Sequence, residues 1–186
     1  MCIRDSVNIG KGAYIHDWAM TERQLIILVQ PWQFEDPTPP FVNGLRWAPE
    51  EGMKFLIVDK NDFKKQRWVQ GDARAFFHTG GAWEERDGTI RLDVALYREP
   101  VLGEGGGRAE IMGTWEKSDA TFASDLTQII LPPKGDAIYR ETGLEGDFAQ
   151  INPQFSGRHR QLTTLVSGSA QTHPGATALS LSLIHI

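Results

Sequence analysis

Cysteine is almost absent from this chain: its 186 residues contain one, Cys2. A lone thiol excludes an internal disulfide framework and a thiolate-rich metal site, and a protein without disulfides fits the cytoplasm. Positive charge is also short. Nineteen Lys and Arg face 24 Asp and Glu, giving a net charge of −5, which excludes the basic stripe of a nucleic-acid surface. The two basic clusters, Lys64-Lys65-Gln66-Arg67 and Arg158-His159-Arg160, are short and read as solvated turns. No apolar run approaches the roughly 20 residues of a membrane-spanning helix; association with a membrane surface is left open. A serine hydrolase would lack its G-x-S-x-G elbow. Gly103 to Gly107 lacks the strand-to-helix setting of a phosphate loop and reads as a hairpin connection.

The two ends have an unusual property. Met1-Cys2-Ile3-Arg4-Asp5-Ser6 can be encoded by ATG TGT ATA AGA GAC AG plus one base, and Leu181-Ser182-Leu183-Ile184-His185-Ile186 by CTG TCT CTT ATA CAC AT plus one base. These strings are reverse complements, as in a transposon-end adapter flanking an insert. Residues 1–6 and 181–186 are therefore read as adapter-encoded and set aside from fold reasoning. The natural segment is then 7–180, cut from a longer protein, and it contains no cysteine.

Helical periodicity is scarce and strand signals dominate. Leu25–Val29, Phe55–Val58 and Ile129–Leu131 are short β-branched runs beside turn residues, the pattern of buried strands. Ile90, Leu92, Val94 and Leu96 alternate with Arg91, Asp93 and Ala95, which predicts a strand with one face on the core. Asp87-Gly88 predicts the turn of a hairpin whose first arm holds Trp83 and Glu85. Pro37–Pro40, Pro132-Pro133, Gly143–Gly146 and the polar stretch Ser167–Ala178 read as loops.

Two stretches stand out, Tyr14-Ile15-His16-Asp17-Trp18-Ala19-Met20-Thr21-Glu22 and Phe76-Phe77-His78-Thr79-Gly80-Gly81-Ala82-Trp83-Glu84-Glu85. Each sets one histidine in an aromatic run before an acidic turn and an apolar strand, and they recur 62 residues apart. That spacing fits propeller blades of roughly 40–50 residues carrying insertions. On a strand, Tyr14, His16, Trp18 and Met20 would share one face. An imidazole among such side chains needs a hydrogen-bond partner or a metal, and the residues alone leave both readings open. Glu84 and Glu85 would point to opposite faces and cannot act as a paired acid and base.

Four blocks, in order, resemble the carotenoid cleavage oxygenases, a family that includes lignostilbene dioxygenases and the retinal-pigment-epithelium isomerase. Tyr14 to Glu22 resembles the family's H-D-F/W-A/G-I/M-T-E segment. Trp47-x-Pro49-Glu50-x-Gly52 resembles the stretch that follows it. Arg67-Trp68 leading to Phe77-His78-x-x-x-Ala82-Trp83-Glu84-Glu85-x-Asp87-Gly88 resembles the R-W … F-H-x-x-N-A block. Gly146-Asp147-Phe148-Ala149-Gln150-Ile151-Asn152 through Arg160 resembles G-E-F/M-P-R/Q-I-D/N. The resemblance spans about residues 10–165.

The resemblance implies an all-β fold, about three blades of a seven-bladed β-propeller. It also implies a parent enzyme that uses non-haem Fe(II) and O2 to cleave a carbon–carbon double bond of an apolar conjugated carotenoid, apocarotenoid or stilbene, the segment alone being inactive. His16 and His78 match the second and third of four iron-binding histidines; neutral imidazoles suit such iron and leave positions for O2. Asp147 takes the place of a glutamate that hydrogen-bonds a ligand histidine. Being one methylene shorter, it requires either a closer backbone or a longer hydrogen bond. Gly81 stands where the family has Asn, and Ala149 where it has Pro. The other ligand histidines fall outside the segment; His159 and His173 read as structural or exposed. Trp18, Phe76, Phe77 and Trp83 suit either a substrate tunnel or propeller core. The alternative reading is a non-catalytic propeller that has lost its iron site.

Overall fold

The computed structural model describes residues 6–9, 12–36, 38–97, 100–102, 124–168 and 177–183, with residue 168 and residues 177–183 described by backbone alone. Gly103 to Gly107, His173 and most of the suspect hexapeptides, Cys2 included, lie outside these residues. No α-helix occurs among those described; three short 3-10 turns, Phe41–Gly44, Pro49–Glu51 and Pro153–Phe155, join strands.

The first sheet takes β1 (Trp18–Met20), β2 (Gln24–Val29), β5 (Met53–Asp59) and β6 (Asp62–Gly71) in that order, and β3 (Trp32–Phe34) with β4 (Leu45–Trp47) forms a hairpin inserted between β2 and β5. The second sheet runs β7 (Ala75–Glu84), β8 (Ile90–Tyr97), β9 (Ser124–Leu131), β10 (Ile138–Glu145), its long insertion again between the second and third strands. The third contains β11 (Asp147–Gln150), β12 (Leu162–Gly168) and β13 (Thr177–Leu183). All pairings within the three sheets are antiparallel. These are three consecutive blades of a β-propeller, each begun by its inner strand. The insertions account for a repeat longer than a bare blade.

The core lies between blades. Ile26, Leu28, Phe55 and Ile57 of the first meet Ile90, Leu92, Val94 and Ile129 of the second, every one of them at most 1% exposed. A smaller cluster, Leu126, Ala149 and Leu165, joins the second blade to the third. Each large side chain of this kind contributes about 1.5–3 kcal/mol by leaving water.

Several expectations are corrected. The strand predicted through Tyr14–Met20 starts only at Trp18, and His16 is exposed on the chain leading into it. β8 is buried on both faces, because its blade packs between the other two: Ile90, Leu92 and Val94 face the first, and Asp93 faces Arg160 and Thr163 of the third. Lys64 to Arg67 lie within β6, where Arg67 donates to the Pro132 carbonyl at 2.9 Å. Arg160 is no solvated turn residue: it pairs with Asp93 at 2.5 Å, the two side chains 3% and 1% exposed. Burial raises the Asp93 carboxyl and lowers the Arg160 guanidinium, each opposed by the attraction of the other. Gly143, Leu144 and Glu145 belong to β10, where a register shift between Glu141 and Glu145 takes up the glycine, and Gly146 alone links β10 to β11. Ser167 and Ala178 are paired strand residues, and the pairing of β12 with β13 carries through Leu183.

Candidate metal centre

The inner strands β1, β7 and β11 belong to three different sheets, and β7 lies against both of the others, bringing His78 on β7 beside Asp147 on β11 and beside His16 on the chain leading into β1. His78 owes its position to a bulge. Phe76 pairs with Leu96 and Thr79 with Val94, so Phe77 and His78 together face the single residue Ala95. A bulge of this kind breaks the ladder and re-aims the side chains it carries. It also leaves the Phe77 carbonyl available, and that carbonyl lies 2.7 Å from His16 Nδ1.

A carbonyl can only accept, so His16 Nδ1 is the protonated nitrogen and Nε2 carries the free lone pair. The same argument applies to His78, whose Nδ1 lies 3.0 Å from Asp147 Oδ1. Both rings are thereby set in the tautomer that offers Nε2 to a metal. Their centroids are 5.2 Å apart, edge to face at 88°.

Asp147 reaches His78 with a hydrogen bond of ordinary length, 3.0 Å, despite its short side chain. Gly80 has no Cβ, and one placed there would sit 3.1 Å from Ala149 Cβ, 3.2 Å from Asp93 Cβ and 3.3 Å from Thr163 Cγ2. A glycine facing an alanine thus lets β11 approach β7. Gly81 is equally committed: its φ is 108°, and a Cβ would meet Ile151 Cδ1 at 2.8 Å. Arg160, which donates to the Gly81 carbonyl at 3.1 Å, fills the surroundings.

Two further residues hold Asp147 and His78, and neither was found from sequence. The Tyr97 hydroxyl donates to Asp147 Oδ2 at 2.6 Å, and burial followed by this carboxylate pushes the phenol pKa well up. Phe148 stacks on the His78 ring at 4.3 Å and 28°. It does so from φ 53°, a conformation uncommon for a residue with a side chain, while its N–H donates to Asp147 Oδ1 at 2.7 Å. Tyr97 gives no sequence signal beyond closing an alternating strand. Phe148 lies inside the Gly146–Asn152 block.

The remaining candidates are separate. His159 is exposed and edge-on to Trp83 at 5.5 Å. Phe76 and Trp83 are core, 1% and 3% exposed, whereas Phe77 packs on His16 at 5.1 Å and Trp18 is 52% exposed. Glu84 and Glu85 are each taken by an ion pair, with Arg23 and Arg91 respectively. Among the described residues no group of three His, Cys, Asp or Glu gathers as a metal site. Two imidazoles with free Nε2 atoms suit Fe(II) in donor type, and two donors alone do not fill its coordination shell.

The pattern of the family described as retinal pigment epithelial membrane protein matches residues 3–185. Resveratrol cleavage oxygenase 1 of Botryotinia fuckeliana (strain B05.10) is 31% identical over 93 residues, covering 44% of this chain and 16% of that protein. Carotenoid isomerooxygenase of Galleria mellonella is 22% identical over 95 residues, covering 47% of this chain and 18% of that protein. Among solved structures, cobalt-substituted Synechocystis apocarotenoid oxygenase superposes with a TM-score of 0.70 at 18% identity, covering 92% of this chain and 38% of that one. An ACO/RPE65 chimera gives 0.66 with the same identity and coverage. The chain therefore spans under a fifth of those curated relatives and 38% of those solved chains. Sharing their propeller fold and matching the family pattern almost end to end, it belongs to the retinal pigment epithelial membrane protein family.

Proposed function

We propose that this chain is the part of an oxygenase that supplies two histidine ligands, His16 and His78, to Fe(II), and that the whole protein cleaves a carbon–carbon double bond of a carotenoid, apocarotenoid or stilbene with O2. The observation that carries this reading is the pair of imidazoles, 5.2 Å apart, each bonded through Nδ1 and so presenting Nε2. In the reaction the C=C bond breaks and two C=O bonds form, both oxygen atoms of O2 entering the products. Fe(II), when bound, supplies the activation of O2 beside the alkene.

The chain's own residues orient and exclude. Asp147 holds the His78 Nδ1 proton, which raises the basicity of Nε2. Tyr97 keeps Asp147 in place, and Phe148 covers one face of the His78 ring. Phe77 holds the His16 Nδ1 proton through its carbonyl, and its ring packs against the His16 ring. Apolar conjugated substrates suit such aromatic surroundings.

A non-catalytic propeller would be favoured by damage at Gly81 or Asp147, two positions near the histidines that depart from the family's pattern. Asp147 has a bond of ordinary length to His78, and Gly81 stands at a φ of 108°, a backbone conformation that favours glycine. Neither feature speaks for a decayed site.

The test is turnover by the complete reading frame, reconstituted anaerobically with Fe(II) and given resveratrol or an apocarotenal under 18O2. One labelled oxygen in each of two carbonyl products, abolished by His78→Ala, is expected. Absence of cleavage products, or turnover that survives His78→Ala, contradicts the proposal.

A further inference from the structure

One carboxylate joins the two histidine-bearing segments. Asp17 follows His16, and Thr79 follows His78. Asp17 Oδ2 accepts both the N–H and the Oγ1–H of Thr79, each at 2.8 Å, while Oδ1 accepts the N–H of Trp18 at 2.8 Å. Charge-assisted bonds of this kind are roughly twice as strong as neutral ones. Among the described residues, Thr79 Oγ1 also lies near the Trp18 carbonyl, at a longer 3.5 Å.

β1 and β7 lie in different sheets, so no strand ladder sets their separation. Side chains do it instead. His16 takes the carbonyl of Phe77, just before His78, and Asp17 takes the amide and hydroxyl of Thr79, just after it. The dipeptide His16-Asp17 thereby grips His78 from both sides in sequence. The bulge that breaks the β7 ladder at residues 77–78 would leave this stretch loosely placed; the grip fixes it.

We propose that Asp17 is a positioning residue: by clamping Thr79 to the start of β1 it sets the distance and angle between the His16 and His78 imidazoles. The geometric claim stands on the hydrogen bonds alone. Its consequence for metal binding rests on the proposed role of the two histidines.

The test uses the 186-residue chain and the variants Asp17→Asn, Thr79→Val and Thr79→Ser. Asn can keep one oxygen on the Trp18 N–H, but its amide then meets the Thr79 N–H donor to donor. Val removes the hydroxyl and Ser restores it. In the metal-free chain, imidazole 15N spectra should show His16 and His78 shifting together in Asp17→Asn, and to a lesser extent in Thr79→Val. Thr79→Ser should match the parent, and His159 should not move. A titration with Co(II) should then show affinity falling by about 10–100-fold in Asp17→Asn, the usual scale for a partner behind a metal ligand, with Thr79→Ser near the parent.

Parent-like ring signals in Asp17→Asn or in Thr79→Val overturn the clamp. If Asp17→Asn does not fold, the Val and Ser pair decides alone. If the rings move together but the parent takes up no Co(II), the clamp stands, and the metal reading of His16 and His78 is decided by the complete reading frame, where the remaining ligands are present.

Discussion

Asp147 Oδ1 lies 3.0 Å from His78 Nδ1, joining inner strands of adjacent blades across 69 residues of chain. The bond fixes both the tautomer and the orientation of the His78 ring. Asp147→Ala should therefore weaken Co(II) binding by about 10–100-fold, while leaving the fold intact by circular dichroism. Tyr97→Phe removes the donor to Asp147 Oδ2 and should produce a smaller loss of the same kind, read in the same titration.

Gly80→Ala tests the close approach of the blades. Its new methyl would meet Ala149, Asp93 and Thr163, all within 3.3 Å. Overpacking on this scale costs about 1–3 kcal/mol. Denaturant unfolding should show that loss, and the His78 ring 15N signal should move as β11 is pushed away with Asp147.

The buried pair Asp93–Arg160 ties β8 to the segment before β12, and Thr163 Oγ1 adds a donor to the same carboxylate oxygen at 3.2 Å. Removing one partner strands the other charge in the core. Arg160→Met should cost about 3–5 kcal/mol. The double variant Asp93→Leu/Arg160→Met should cost less than Arg160→Met alone, which a double-mutant cycle measures.

The β7–β8 turn gives a pH dependence with a definite sign. Asp87 Oδ1 accepts the Thr89 N–H at 2.9 Å, and these Thr89 contacts hold its carboxyl below the ordinary 3.8. A depressed carboxyl contributes stability that is present above 3.8 and lost as pH falls through the lowered value. A side-chain carbon NMR titration should place the Asp87 midpoint below 3.8, and Asp87→Asn should flatten the acid limb of the stability curve.

The sequence carried the blade order well, because turn residues and β-branched runs are local signals. Thr21–Arg23 and Glu85–Gly88 do turn where acidic and glycine residues predict it, and β2, β5, β8 and β9 lie where the apolar runs are. The convergence of His16, His78 and Asp147 was legible only through resemblance, since it joins two strands of different sheets and the segment leading into a third. What could not be read were contacts set by packing. Asp93 looked like an outward-facing residue of an alternating strand and Arg160 like a solvated turn residue; the third blade buries both against each other. The β7 bulge leaves no mark in composition, yet it decides where Phe77 and His78 point. Asp17 and Thr79 are ordinary polar residues until the inner strands are brought side by side.

The most direct measurement follows the histidine ring 15N–1H signals while Co(II) is added to the 186-residue chain. The account predicts that the His16 and His78 signals respond together, with one midpoint, that His159 stays unchanged, and that either His16→Ala or His78→Ala removes the response of the remaining partner. Independent responses of the two rings, or a response centred on His159, would contradict a shared metal centre on the inner strands.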